Sequence, residues 1–237
     1  MNELNIDREE QRRFADLANS WWDTEGDFKI LHDLNPARTA YIAERADLKA
    51  AKVLDVGCGG GLLSESLAAA GAEVTAIDIV DKSLDIARLH LHESGLEVDY
   101  QCVTVEELVL THTGSFDVVA CLEMLEHVPA PDSVIAACSR LLRPGGHMFI
   151  STINRTAQAF VMAIVGAEHI LGLLPRGTHE YRKFIQPAEL SSWLRAAGMI
   201  VEDIRGLHYN PVSRSVRLGG NVDVNFLMYA QKQGCAE

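Results

Sequence analysis

From Lys52 onward the chain alternates short apolar runs with stretches of helical period. KVLDVGCG is a β-rich run ending in glycines, and LLSESLAAAG has the spacing of a helix stopped by Gly71. EVTAIDI predicts a second strand, DKSLDIARLHLHESG a helix ending at Gly95, and VDYQCVT a third strand. FDVVACL follows as the fourth strand, PDSVIAACSRLLRPGG as a helix closed by Pro-Gly-Gly, and HMFISTI as the fifth strand. Strands alternating with helices of about 10–15 residues need right-handed crossovers, which predicts an α/β fold with a parallel, doubly wound sheet.

Both flanks break this rhythm. Phe14, Leu17, Ala18 and Trp21 recur at helical spacing within residues 7–22, and a polar DTEGDF stretch follows. LNPARTAYIAERA then predicts a turn at Asn35-Pro36 and a second helix, so residues 1–50 form an N-terminal helical cap. Residues 154–185 read as an insertion, PAELSSWLRAAG as a helix, and MIVEDIRGL and VDVNFLMYAQK as two last strands. No helical period separates that final pair, which predicts an antiparallel hairpin at one edge. No repeat or composition break divides residues 1–237, which are expected to form a single domain.

Composition narrows the function. A net charge of −12 argues against nucleic acid as a partner. The opening MNELNIDREEQR has no apolar leader core, and the longest apolar stretch, AFVMAIVGA, has nine residues, against the ~20 of a spanning helix. Five cysteines (58, 102, 121, 138, 235) are odd in number and show no C-x-x-C pair. Reduced thiols in a cytoplasmic protein are the simplest expectation.

Two places carry candidate chemistry. The first strand opens into VLDVGCGGGLL, with Gly57, Gly59 and Gly61 at G-x-G-x-G spacing. A strict dinucleotide fingerprint would need glycine at Leu62, so a nicotinamide dehydrogenase is disfavoured. Bare glycines let the main chain approach a ligand, and Asp78 at the end of strand two suits the hydroxyls of a ribose. The fourth strand opens onto CLEMLEHV, with Glu123, Glu126 and His127 directly after an apolar run. Charged groups beside a core are costly unless water, a cation or a substrate meets them. On a helical turn these three fall at i, i+3 and i+4 and project to one side.

DVGCGGG, AIDI, LEMLEHV and LLRPGG resemble the class I S-adenosylmethionine-dependent methyltransferases. That resemblance implies a seven-stranded sheet with an antiparallel last strand, in agreement with the edge hairpin. It also implies Gly57 and Gly59 beside the methionine part of the cofactor, Asp78 on the ribose and Leu122 along the adenosine. LNPARTAYIAERA, LHESGLEVDY, CLEMLEHVP, FISTINR, VGAEHILGLLPRGTHEY and GLHYNP extend the similarity to the bacterial ubiquinone biosynthesis O-methyltransferases, from about residue 30 to the C-terminus. By that similarity Arg38 holds the cofactor's carboxylate, a role suited to its forked guanidinium. Read without it, Arg38 is a solvated helix charge.

The resemblance implies methyl transfer from S-adenosylmethionine to a catechol-type hydroxyl of a polyprenyl phenol or quinol. The family acts on an early hydroxyphenol and on late demethylubiquinol. Ionising a phenol of pKa ~10 at pH 7 costs about 4 kcal/mol. A general base can supply this, and so can a divalent cation, by default Mg²⁺, held by Glu123, Glu126 and His127. Direct base catalysis by His127 is the alternative, and so is a turn that merely caps the next helix and lines the pocket. His179, His208, Tyr209 and Asn154 stand in segments that match the family, where they could border the acceptor or serve only in loops and packing.

Within the insertion, FVMAIVGAEHILGLLPRGTHEYRKFI is apolar and then basic, with Arg176, Arg182 and Lys183. Its apolar side chains surround the helix, so they must bury against the domain, a greasy substrate tail or a lipid interface. The basic cluster suits an anionic membrane, placing the protein in the cytoplasm or peripherally on the inner face of the cytoplasmic membrane. The competing functions are methylation of another small molecule, including at carbon, and a non-catalytic place among other quinone biosynthesis proteins.

Overall fold

The computed structural model describes residues 5–161 and 180–234. Two helices open the chain, α1 (Arg8–Leu17) and α2 (Lys29–Ala43). The alternating region follows as β1 (Lys52–Val56), α3 (Leu62–Ala69), β2 (Glu73–Asp78), α4 (Asp81–Ser94), β3 (Val98–Cys102), α5 (Val105–His112), β4 (Phe116–Leu122), α6 (Pro131–Leu141) and β5 (Leu142–Ile153). A short helical stretch α7 (Ala157–Ala159), then α8 (Pro187–Ala196), β6 (Met199–Asn210), β7 (Ser215–Leu218) and β8 (Asn225–Lys232) complete it.

The sheet order is β3-β2-β1-β4-β5-β8-β6-β7. The first five strands are parallel, and β8 runs antiparallel to both β5 and β6. The last strand therefore slots between β5 and β6. The expected seven strands are present, and β7, in the loop between the last two, lengthens the edge by pairing with residues 207–210 of β6.

Period-2 alternation sends successive strand residues into two cores. Leu54, Val119, Cys121, Ile150, Phe226 and Met228 pack with α5, α6 and α8. Val53, Val118, Ala120, Phe149 and Leu227 pack with α2, α3 and α4. Helices on both faces bury the central strands, which is why these read as continuous apolar runs.

Two local expectations differ. Asn35-Pro36 is not a turn, because Pro36 lies inside α2. A proline in a helix interior costs about 3 kcal/mol. Leu34, Arg38, Tyr41 and Ile42 form one buried stripe through it, and Asn35 Nδ2 donates to Leu62 O (3.1 Å) and Ser66 Oγ (2.8 Å). Packing outweighs the local preference. The crossover from β3 to β4 also holds a helix, α5, started by a capping box in which Thr104 and Glu107 exchange hydrogen bonds.

Candidate functional site

The carboxyl ends of the strands open into one cavity of about 560 Å³, where ligands bind in open α/β sheets. Arg38, Gly57, Gly59, Asp78, Leu122, Glu123, Glu126 and His127 all line it. The fold thus gathers these eight residues around a single space.

At one end lies the glycine turn. Gly57 and Gly59 have φ of 74° and 53°, a left-handed conformation that disfavours side chains. A Cβ on Gly57 would strike the Met124 side chain, and one on Gly59 would strike Trp21. Below the turn, Asp55 is buried and accepts from Ser64 Oγ at 2.6 Å. Burial raises its pKa to about 6 despite that bond. Asp78 accepts the Gly59 N–H through Oδ2 and the Val80 N–H through Oδ1, both at 2.8 Å. Burial pushes its carboxyl up while those N–H groups pull it back.

At the other end, β4 leads into a single 3₁₀ turn, Leu125–His127. Glu123 precedes it at φ 53°, a strained position for a non-glycine that persists only where surroundings over-determine it. Five bonds do so: Glu123 N donates to Ser151 O (3.0 Å), its Oε1 accepts from Arg38 (2.7 Å) and Ser151 Oγ (2.7 Å), and Asn225 Nδ2 donates to both Oε1 and Oε2 (3.1 Å each). Arg38, only 5% exposed, keeps its Nε buried without a hydrogen-bond partner. Glu126 accepts from Thr152 Oγ1 at 2.8 Å through Oε2, while its Oε1 is buried and unpartnered. Burial, then the neighbouring Glu123 charge, raises Glu126 to about 8. His127 turns its Nδ1 to Glu10 Oε2 at 3.0 Å.

The three expected metal ligands are therefore held by different partners rather than converging. Among the described residues no three His, Cys, Asp or Glu side chains are already gathered as metal ligands. The donor types suit a divalent cation, and Glu126 Oε1, buried and unpartnered, is not taken up by the partners that hold Glu123 and His127.

Tyr209 and His208 line the cavity mouth, where Tyr209 Oη donates to Asp33 at 2.6 Å and Arg214 bonds the same carboxylate. Asn154 is buried, donating to Val222 O at 2.7 Å, so its place is structural. His179 and Arg176 lie outside the described residues. Of the basic cluster, Lys183 pairs with Asp7 (3.0 Å) and Glu10 (3.5 Å) instead of standing free. Sequence reasoning missed Glu10, Ser151, Thr152 and Asn225. No local signal marks them, because each meets the site through a partner distant in the chain.

A bare glycine turn at β1, an acid at the tip of β2 and an antiparallel strand closing the sheet define a methyltransferase that uses S-adenosylmethionine. Residues 54–150 match the family described as "Methyltransferase domain". In fold the chain is similar to magnesium protoporphyrin IX methyltransferase from Synechocystis, solved with bound SAH, with a TM-score of 0.67, 20% identity and coverage of 95% of this chain and 94% of that one. Two curated relatives, both named ubiquinone biosynthesis O-methyltransferase, are far nearer in sequence. The protein of Nitrosococcus oceani is 53% identical over 98% of this chain and 100% of its own length. That of Marinobacter nauticus is 55% identical over 98% of each. The chain belongs to the ubiquinone biosynthesis O-methyltransferase family.

Proposed function

We propose that the chain methylates a catechol-type hydroxyl of polyprenyl phenols, 2-polyprenyl-6-hydroxyphenol and 3-demethylubiquinol, with S-adenosylmethionine as donor. The observation that carries this reading is the one cavity shared by the glycine turn and the Glu123–His127 turn. The donor supplies an electrophilic methyl group on a sulfonium. Gly57 and Gly59 present bare backbone to its methionine part, Asp78 accepts from the ribose hydroxyls, and Leu122 lies along the adenosine. The unpartnered Nε of Arg38 supports its assignment to the carboxylate. The acceptor hydroxyl then faces His127, which takes its proton, because the phenolate is the nucleophile.

A divalent cation on this turn is the second reading, favoured by the unpartnered Oε1 of Glu126 beside the Glu123 charge. Glu123, Glu126 and His127 would hold it, and it would stabilise the phenolate charge. Methyl transfer to a short-chain demethylubiquinol, measured after EDTA treatment and dialysis, separates the two. Base catalysis predicts retained activity; loss of activity that Mg²⁺ restores would move phenol activation to the cation. No transfer under either condition would sink the substrate assignment.

Among the described residues no helix is long and apolar enough to cross a membrane. Phe160, Val161 and Tyr181, which flank the undescribed part of the insertion, are 41%, 56% and 37% exposed. They support a peripheral contact through which a prenyl tail enters from an anionic membrane. With Lys183 already paired, apolar side chains and Arg182 would carry that contact.

A further inference from the structure

Two adjacent indoles, Trp21 and Trp22, follow α1 and both meet the glycine turn. Trp21, 8% exposed, covers it so closely that a Cβ on Gly59 or Gly60 would fall 2.3 or 2.4 Å from the ring. Trp22 takes hold of the peptide beyond, its Nε1 donating to Gly60 O at 2.9 Å. The Trp22 ring lies parallel to the imidazole of His90 in α4, with centroids 3.3 Å apart and planes at 3°. His90 Nδ1 in turn meets both carboxyl oxygens of Glu65, at 2.8 and 3.0 Å. Glu65 stands in the first turn of α3, the helix that the glycine turn opens. The chain of contacts therefore closes on itself, from the turn through the cap indole, the α4 imidazole and the α3 carboxyl back to the turn.

A trans peptide points its C=O and N–H in opposite directions. In the Gly60–Gly61 unit the carbonyl meets Trp22, and the Gly61 N–H donates to Cys58 O at 2.9 Å, so the plane is held at both edges. It needs holding. With glycine on either side, the free chain takes either orientation of this plane at little cost. A flip would redirect the backbone beside Gly59, whose φ of 53° and 2.8 Å bond to Asp78 shape the surface that faces the cavity. A turn that is competent for only a fraction of the time binds its ligand more weakly by that fraction.

We propose that Trp22 is a positioning residue for the donor: its indole N–H clamps the Gly60–Gly61 peptide and keeps the glycine turn in the form that receives S-adenosylmethionine. Trp22 does not line the cavity itself, so it acts through the turn. The N-terminal cap thereby sets donor affinity as well as forming a wall. The role rests on seating the donor at the glycine turn.

Trp22→Phe tests this in the full chain, because the ring over His90 stays and the N–H is lost. A neutral hydrogen bond shifts an equilibrium about 2- to 10-fold. Calorimetric affinity for S-adenosylhomocysteine should fall by that factor, and in methyl transfer the loss should fall on the donor KM rather than on kcat. Wild type supplies a second readout. Nitrogen-15 spectra resolve the indole N–H signals of the three tryptophans, with that of Trp22 identified from its absence in Trp22→Phe. Coupling between the clamp and the donor is reciprocal, so saturating S-adenosylhomocysteine should slow hydrogen exchange at Trp22 Nε1. A merely structural tie would lower the melting temperature of Trp22→Phe and move neither readout. Wild-type affinity in Trp22→Phe, beside a weakened Asp78→Ala, overturns the inference and leaves the donor's seat standing. Exchange at Trp22 Nε1 indifferent to S-adenosylhomocysteine overturns the clamp. A wild-type chain with no affinity for S-adenosylhomocysteine overturns both the clamp and the seat.

Discussion

Replacing Asp78 with alanine removes the carboxylate that ties the glycine turn to the cavity. Its two oxygens now accept the Gly59 and Val80 N–H groups at 2.8 Å, and each retains a second lone-pair direction for a ribose hydroxyl. A hydrogen bond to a charged group contributes about 1.5–3 kcal/mol. Loss of one such bond from the ligand therefore weakens S-adenosylhomocysteine binding by about 10- to 100-fold. The same change leaves two backbone N–H groups less well satisfied, a cost of about 1–3 kcal/mol in stability. Binding and folding must therefore be separated. Calorimetric titration with S-adenosylhomocysteine, run well below the melting temperature set by circular dichroism, reads affinity alone. Asp78→Asn, which keeps one acceptor oxygen, should fall between wild type and Asp78→Ala. Wild-type affinity in folded Asp78→Ala would refute the placement of the ribose.

Three further outcomes follow from the same geometry. Glu126 titrates at about 8 in the folded protein, above its ordinary 4.5, so the folded state holds an extra proton between those values and stability falls as pH rises through them. Glu126→Gln should thus raise the melting temperature more at pH 8.5 than at pH 5, and an equal shift at both would contradict this. Gly61 has φ 84° and a Cβ there would strike Tyr100 Oη, so Gly61→Ala should lower thermal stability by several degrees and weaken cofactor binding; a neutral result in both assays would count against the tight turn. Flotation with anionic liposomes should recover the protein, and replacing Phe160 and Val161 with serine should reduce that recovery; unaltered recovery would argue against this contact.

The fold was legible where one face of an element decides its residues. β1, β4 and β5 announce themselves as apolar runs, and the helices between them by period and by their closing glycines. Pro36 misled because its cost is local and the compensating stripe of Leu34, Arg38, Tyr41 and Ile42 is tertiary. Residues 105–112 gave too short a helical period to stand out, although Thr104 and Glu107 spelled a capping box. In the site, residue types and spacing marked Gly57, Gly59, Asp78, Glu123, Glu126 and His127, the family resemblance added Arg38 and Leu122, and all eight line one cavity. Partner choice was not legible: Arg38 with Glu123 is a contact across 85 residues, and His127 with Glu10 across 117. Sequence spacing put three ligand-type side chains on one turn, but the direction each takes depends on those distant partners.

The central claim is that a donor seated at the glycine turn passes its methyl group to an oxygen held at the Glu123–His127 turn. Product analysis after reaction of the full chain with methyl-deuterated S-adenosylmethionine and a short-chain demethylubiquinol tests it most directly. The account predicts a single labelled methoxy group on the ring. Label on a ring carbon, or an unlabelled quinol recovered from protein that binds the donor, would contradict it.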